Sequence, residues 1–396
     1  MKDKTYLALF AIIWTFMAVV IALHSLVYYS EYSLPFGRLD VDNYIGTTYE
    51  WITGEKYTYS HILFMISGEL AYKFGIKPEL LFSVVMPLAI SLVPVSVFIF
   101  YLYLLKRIKT TFVSCFFMMF GTFSMFSFWI MSLWAQAIST AFLMIGIIFY
   151  YIAETKDKRY YLVFAAMVVL AMLSHHVSPL MLMLFLLVKF IDERKKLSIA
   201  LVVLLIIIGM IATVFVVKKN LFDPTYPYSV GVGYIFENAA FPLLWVLSLW
   251  GMFVSRKNSR LRVLSWFTVL GVLLSSQFVL WRPISTMLCF VAVFAGIGFV
   301  EIIDRMSRFS AAFISVLMFV ILLNYAFVQY NGFMNMMLWE MVDNSPDVPR
   351  GMDPEPFRVM FFSGTEITTR GYITPFSNST HETSAISKNG TVLPII

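Results

Sequence analysis

Apolar residues in this chain come in blocks of about twenty, separated by short polar turns. That pattern constrains the fold more than any other feature. An α-helix rises about 1.5 Å per residue, so some twenty apolar residues match a hydrocarbon core about 30 Å thick. The first block runs from Tyr6 to Tyr29. Others fall at roughly 80–105, 111–130, 133–152, 160–175, 177–191, 197–217, 239–254, 262–281, 284–303 and 309–330. A lipid-exposed backbone must satisfy its own polar groups, and a helix does so within one segment. The expected architecture is therefore an all-α polytopic membrane protein with about eleven transmembrane helices. Composition agrees, with 60% hydrophobic and 13% charged residues, against about 25% charged in soluble proteins. The first block is too long for a signal-peptide core and no small-residue cleavage site follows it, so it reads as an uncleaved anchor.

Charge gives the orientation. Short cytoplasmic loops collect Lys and Arg. With the N-terminus inside, the inner segments hold 18 of the 29 basic residues and 7 of the 23 acidic ones. The inner side then nets +11 and the outer side −5, which together recover the chain's +6. The basic balance is a topology signal and calls for no nucleic-acid partner. An odd number of spans leaves the C-terminus outside a cell membrane. Cys115 and Cys289 fall within spans, so they read as buried hydrophobes, not as an extracytoplasmic disulfide framework.

Two domains are expected: a membrane domain over 1–330 and a short exterior tail over 331–396. The tail is rich in Pro, Ser and Thr and carries the sequons Asn378-Ser379-Thr380 and Asn389-Gly390-Thr391, both on the expected outer side. The longest loop within the membrane domain is the first exterior one, about residues 30–79. It closes on "HILFMISGELAYKFG", residues 61–75, where Ile62, Ile66, Leu70 and Phe74 recur every fourth residue and Glu69 and Lys73 form an i,i+4 pair. That spacing predicts a helix lying in the membrane interface.

The groups able to do chemistry gather on the outer side. Asp40 and Asp42 lie in the first loop, in "FGRLDVDNYIGTTYEW", with "IGTTYEW" expected to be helical. His61 is in the same loop, His175 and His176 form the turn between two spans, and Lys218 stands at the exit of another. Glu237 is in the second exterior loop and Arg282 heads a late span in "LWRPIS". Each has a plainer role available. The aspartates, His61 and Glu237 can solvate loops, the histidine pair can cap helix ends, and Arg282 and Lys218 can anchor at headgroups. Their convergence on one face argues for more. A carboxylate serves as a general base toward a hydroxyl, or as an oxygen ligand for a divalent cation such as Mg or Mn. Arg and His bind phosphate oxygens, Arg in a bidentate way. A base beside a phosphate site at a membrane surface suits sugar transfer from a polyprenyl-phosphate carrier.

Three stretches resemble the GT-C superfamily of integral-membrane glycosyltransferases: "GRLDVDNYIGTTYEWITGE", "KFGIKPELLFSVVMPLAISLVPVSVFIFYLYLLKRI" and "LWRPISTMLCFVAVFAGIGFVE". The resemblance spans about residues 1–330. It implies a long first exterior loop with an acidic motif, an interfacial helix, and a bundle of spans. It further implies that Asp42 or Asp40 is the catalytic carboxylate and that His176 and Arg282 contact the carrier phosphate, with a glycan, lipid or protein as acceptor. The chain departs from oligosaccharyltransferase-type members, because the next exterior loop, "SFWIMSLWAQ", has no acid and no large C-terminal domain with a tryptophan-aspartate motif follows. The protein-mannosyltransferase-like branch is therefore the expected one, although a valine separates the aspartates where that branch has adjacent acids. Two other readings fit a chain of this kind: a lipid-linked-glycan flippase or transporter, and a polysaccharide polymerase or ligase of another membrane fold. Transporters place polar groups near the bilayer midplane, whereas here they crowd one surface.

Overall fold

The computed structural model describes residues 2–32, 41–53, 62–129, 133–175, 177–192, 239–277 and 282–343. The expectations for Asp40, His61, His176, the span 197–217, Lys218, Glu237 and both sequons lie outside the described residues, as do the side chains of Asp42 and Arg282. All regular structure among the described residues is helical: α1 Lys2–Tyr32, α2 Val41–Thr53, α3 Ile62–Lys73, α4 Pro78–Leu105, α5 Ile108–Phe120, α6 Ser124–Trp129 and α7 Trp134–Thr155. After these come α8 Tyr160–Ser174, α9 Val177–Asp192, α10 Pro242–Ser255, α11 Ser259–Gln277, α12 Arg282–Ile303 and α13 Arg308–Asp343. Five helices among the described residues are long and apolar enough to cross a bilayer, namely α1, α4, α7, α12 and α13, and three shorter apolar ones are α5, α8 and α10. The two helices expected on either side of the histidine pair are α8 and α9.

The chain falls into two compact units. One comprises residues 1–14, 92–125 and 135–326, the other 15–91, 126–134 and 327–396.

In the first unit, α12 is the central helix. From Met287 through Ala295 it is buried at every position, as a helix apolar all round must be. Small residues let its neighbour come close. A Cβ on Gly251 of α10 would stand 1.9 Å from the Phe294 carbonyl oxygen, and one on Gly298 would stand 2.2 Å from that of Leu247. Backbones touch there, the usual way helices pack where lipid supplies no hydrophobic drive. Phe290 fills the space beside them, edge-on to Phe267 at 4.9 Å and to Phe100 at 5.7 Å. By contrast, Phe309, Phe313 and Val316 of α13 stand more than half exposed. So large an apolar surface on a helix is that of a lipid-facing span.

The basic ends of this unit's helices meet. Arg262, at the start of α11, holds Asp192 at the end of α9 through two hydrogen bonds of 2.8 Å. Lys189 pairs with Glu154 of α7 at 2.9 Å. Arg260 lies 5.0 Å from the Tyr151 ring and 5.6 Å from that of Tyr103, at the end of α4. Lys109 of α5 pairs with Asp304, just beyond α12. Every one of these residues belongs to an end that the charge pattern assigns to the inner side.

Two helix boundaries differ from expectation. The apolar block 111–130 is one run in sequence, yet α5 stops at Phe120 and α6 begins at Ser124. Between them the chain pairs with residues 239–241: Phe123 N–H donates to the Ala239 carbonyl and Phe241 N–H to that of Gly121, both at 2.9 Å. The second difference is at the far end. The last span was expected to stop near 330, but α13 continues to Asp343. Falling apolar density marks where a span ends, not where the backbone ceases to be helical.

Candidate active site

Asp42 is the second residue of α2, in the turn where backbone N–H groups have no helical partner and the dipole favours negative charge. Its helix is held from the opposite edge. Tyr44 is 1% exposed and lies between two rings, stacked on Phe64 at 4.8 Å and on Trp134 at 5.5 Å. One turn later, Thr48 donates to the Tyr44 carbonyl at 2.6 Å, and its methyl packs over Gly68 of α3. Near the end of α2, Trp51 Nε1 donates to Glu69 Oε2 at 2.6 Å, while Lys73 donates to Glu69 Oε1 at 2.5 Å. Those two donors, Lys73 first, hold the Glu69 carboxyl below its usual range. Tyr49 donates to Glu79, at the start of α4, at 3.0 Å. Burial, and then the neighbouring Glu79 charge, push its phenol up to about 12.

α3 presents two faces. Phe64, Met65, Gly68 and Ala71 are buried. Ile66, Leu70 and Phe74, three members of the expected stripe, are exposed. An apolar face left open beside an anchored helix is what the interfacial reading requires. The Glu69–Lys73 pair forms as the spacing foresaw.

His175 and the backbone of Arg282 belong to the first unit. His175 follows the last residue of α8 and is 3% exposed. Its Nδ1 accepts the Val177 N–H at 3.2 Å, which caps the start of α9. In the neutral ring the proton is then on Nε2. The carbonyl of His175 accepts from Ser139 of α7 at 3.2 Å. Thr140, the next residue, meets Thr286 of α12 hydroxyl to hydroxyl at 2.8 Å. One turn of α7 thus ties the end of α8, which carries His175, to the beginning of α12, which opens at Arg282.

Sequence reasoning missed this buried polar group. Gln136 Nε2 donates to Thr286 Oγ1 at 3.2 Å, and Ser124 donates to the Ser285 carbonyl at 2.8 Å. Ser124, Gln136, Ser139, Thr140, Ser285 and Thr286 are all closed to solvent. A signal was present: Ile-Ser-Thr occurs at 138–140 and again at 284–286, near the start of an apolar helix each time. Among the described residues no three His, Cys, Asp or Glu side chains come together as a metal site.

No family model matches the chain, and no curated protein matches it. Solved structures do share its fold. The oligosaccharyltransferase of Archaeoglobus fulgidus, in its apo form, superposes with a TM-score of 0.51 and 12% identity over 84% of this chain and 58% of that one. The A. fulgidus oligosaccharyltransferase tethered through a disulfide to an acceptor peptide with an NVT sequon gives 0.51 and 12% over 84% and 57%. This chain therefore covers less than two thirds of either structure. The likeness is one of fold, and it agrees with the expected all-α membrane architecture.

Proposed function

We propose that this chain is a membrane glycosyltransferase that moves a sugar from a polyprenyl-phosphate carrier to an acceptor at the exterior membrane surface. The fold shared with an oligosaccharyltransferase over 84% of the chain carries the reading. The first-turn position of Asp42 on α2 supports the same conclusion.

In the proposed reaction the acceptor O–H, or another nucleophile, gives its proton to the Asp42 carboxylate, with Asp40 two residues before it. The freed oxygen bonds to the anomeric carbon. The bond from that carbon to the phosphate oxygen breaks, and its electron pair leaves with the lipid phosphate. Arg282, His175, His176 and Lys218 are the groups proposed to offset the phosphate charge, with His61 and Glu237 as further polar groups on that side. Where a divalent cation such as Mg or Mn takes part, Asp40 and Asp42 are its proposed ligands, and it would supply charge stabilisation. The absence of an acid in "SFWIMSLWAQ" favours a protein-mannosyltransferase-like chemistry over N-glycosylation. The acceptor class is a glycan, lipid or protein. The remaining proposals are about eleven spans in a cell membrane, an inner N-terminus, an outer C-terminus, a membrane domain over 1–330 and a tail over 331–396.

The test is a sugar-transfer assay with the purified full chain and a radiolabelled polyprenyl-phosphate sugar, with and without chelator. Asp42→Asn keeps the shape of the side chain and removes its charge. It should cost about 10²–10⁴-fold in rate, as loss of a general base does, and more than Asp40→Asn. Full activity in the double Asn variant would sink the catalytic reading in favour of a flippase.

A further inference from the structure

Thr286 makes an unusual choice of partner. Buried hydroxyls in apolar helices ordinarily bond to the carbonyl four residues back. Thr268 and Ser275 of the neighbouring α11 do so, to Leu264 at 2.7 Å and to Gly271 at 2.6 Å. Thr286 instead bonds across helices, to Gln136 at 3.2 Å and Thr140 at 2.8 Å. One residue earlier, the Ser285 carbonyl takes the hydroxyl of Ser124 at 2.8 Å. Three side chains from two other helices thereby grip α12 at Ser285 and Thr286, where its first turn closes.

The residue one turn before Thr286 is Arg282, the first residue of α12. Pro283 follows it, and a proline in the first turn needs no N–H partner while fixing φ. A guanidinium that must meet a phosphate with two parallel bonds needs a fixed backbone beneath it, because small misplacements cost affinity steeply. The first turn of a helix is ordinarily its most easily frayed part. Here it is fastened by directional bonds in a closed interior, where losing one partner leaves the other's polar group stranded.

We infer that Gln136, Thr140 and Ser124 are positioning residues. They act through Thr286 and Ser285 to hold the first turn of α12, and so Arg282, in register with the phosphate of a polyprenyl carrier. The inference rests on the proposed reading of Arg282 as a phosphate ligand.

A double-mutant cycle tests it, with tritiated polyprenyl phosphate as the probe and the detergent-solubilised full chain as the protein. Thr286→Val keeps the shape and removes the hydroxyl. It should weaken probe binding about 10-fold, and Thr286→Ser should return it to within about twofold of wild type, on the scale of misplacement effects. Arg282→Ala should weaken binding comparably. The combination Thr286→Val with Arg282→Ala should be no weaker than Arg282→Ala alone, the signature of two residues acting through one contact. If Thr286→Val weakens binding equally with and without Arg282, or leaves it unchanged, the positioning role is overturned. If wild type itself binds no polyprenyl phosphate, the phosphate reading of Arg282 falls and the positioning role with it. Should Thr286→Val fail to fold, Thr140→Val removes the facing hydroxyl and is read in the same cycle.

Discussion

The methyl of Thr48 occupies the space that Gly68 leaves open: a Cβ on Gly68 would stand 2.2 Å from Thr48 Cγ2. The two helices of the first loop meet at this point, one turn from Tyr44 on α2 and next to Glu69 on α3. A glycine in mid-helix costs stability by itself. The close approach of α2 is what it provides, and α2 carries Asp42.

Gly68→Ala should therefore destabilise the chain even though alanine is the better helix former. Overpacking of this kind costs about 1–3 kcal/mol. Thr48→Ser removes the methyl and keeps the hydroxyl that bonds to Tyr44. The double variant should recover most of the loss in a detergent melting experiment. Equal melting of Gly68→Ala and wild type would show that α2 and α3 shift apart freely.

Tyr49 sets an alkaline limit. Its phenol is raised to about 12, by burial first and then by Glu79, from an ordinary value of about 10. Below pH of about 10 the phenol is protonated whether the chain is folded or not. Above that, the unfolded chain releases the proton while the folded one retains it, so stability falls as pH rises, until both have released it above about 12. Wild type should lose stability relative to Tyr49→Phe across that window. A constant difference between the two would mean that Glu79 does not hold the phenol.

Lys189 and Glu154 form an ion pair with side chains only 5% and 20% exposed. The Lys189 ammonium also lies 5.5 Å from the Tyr150 and Tyr151 ring centroids. Breaking such a pair from one side is worse than replacing both members. Glu154→Gln should cost about 1–3 kcal/mol in reversible unfolding, discounted for the partial exposure of the carboxylate. Glu154→Leu with Lys189→Met should recover much of it. The same loss in the single and the double variant would count against a desolvated pair.

The orientation is testable by cysteine labelling, with a low background because Cys115 and Cys289 are both buried. A membrane-impermeant maleimide applied from outside should label Gly54→Cys in the first loop and leave Asn258→Cys untouched in the turn between α10 and α11. Equal labelling of both from outside would sink the proposed topology.

Several parts of this picture were legible in the chain itself. "IGTTYEW" read as helical, and it lies within α2. The four-residue stripe and the Glu69–Lys73 pair foretold α3, because both are local properties of one helix. The break after Phe120 was not legible. Gly121 caps α5, but a lone glycine in an apolar run does not by itself end a helix, and the pairing partner, residues 239–241, is more than a hundred positions away. That His175 could cap a helix end was legible, but not that its ring would take the Val177 N–H at the start of α9.

Sequence alone determined that the chain lives in a membrane, because hydrophobic block length and the cost of unsatisfied backbone in lipid leave helices as the solution. Loop charge adds an expected record of which ends share a side. The meeting of Arg260, Arg262 and Lys189 with their partners at one end of the first unit accords with that record. Only the tertiary structure decided which buried polar side chains find one another. Gln136 and Thr286 are 150 residues apart, and Thr140 and Thr286 are 146 apart. Whether such groups meet depends on the rotation and depth of each helix, which packing fixes through contacts such as Gly251 against Phe294. A single apolar span carries no trace of either quantity, so the grip on the first turn of α12 emerges only when the helices come together.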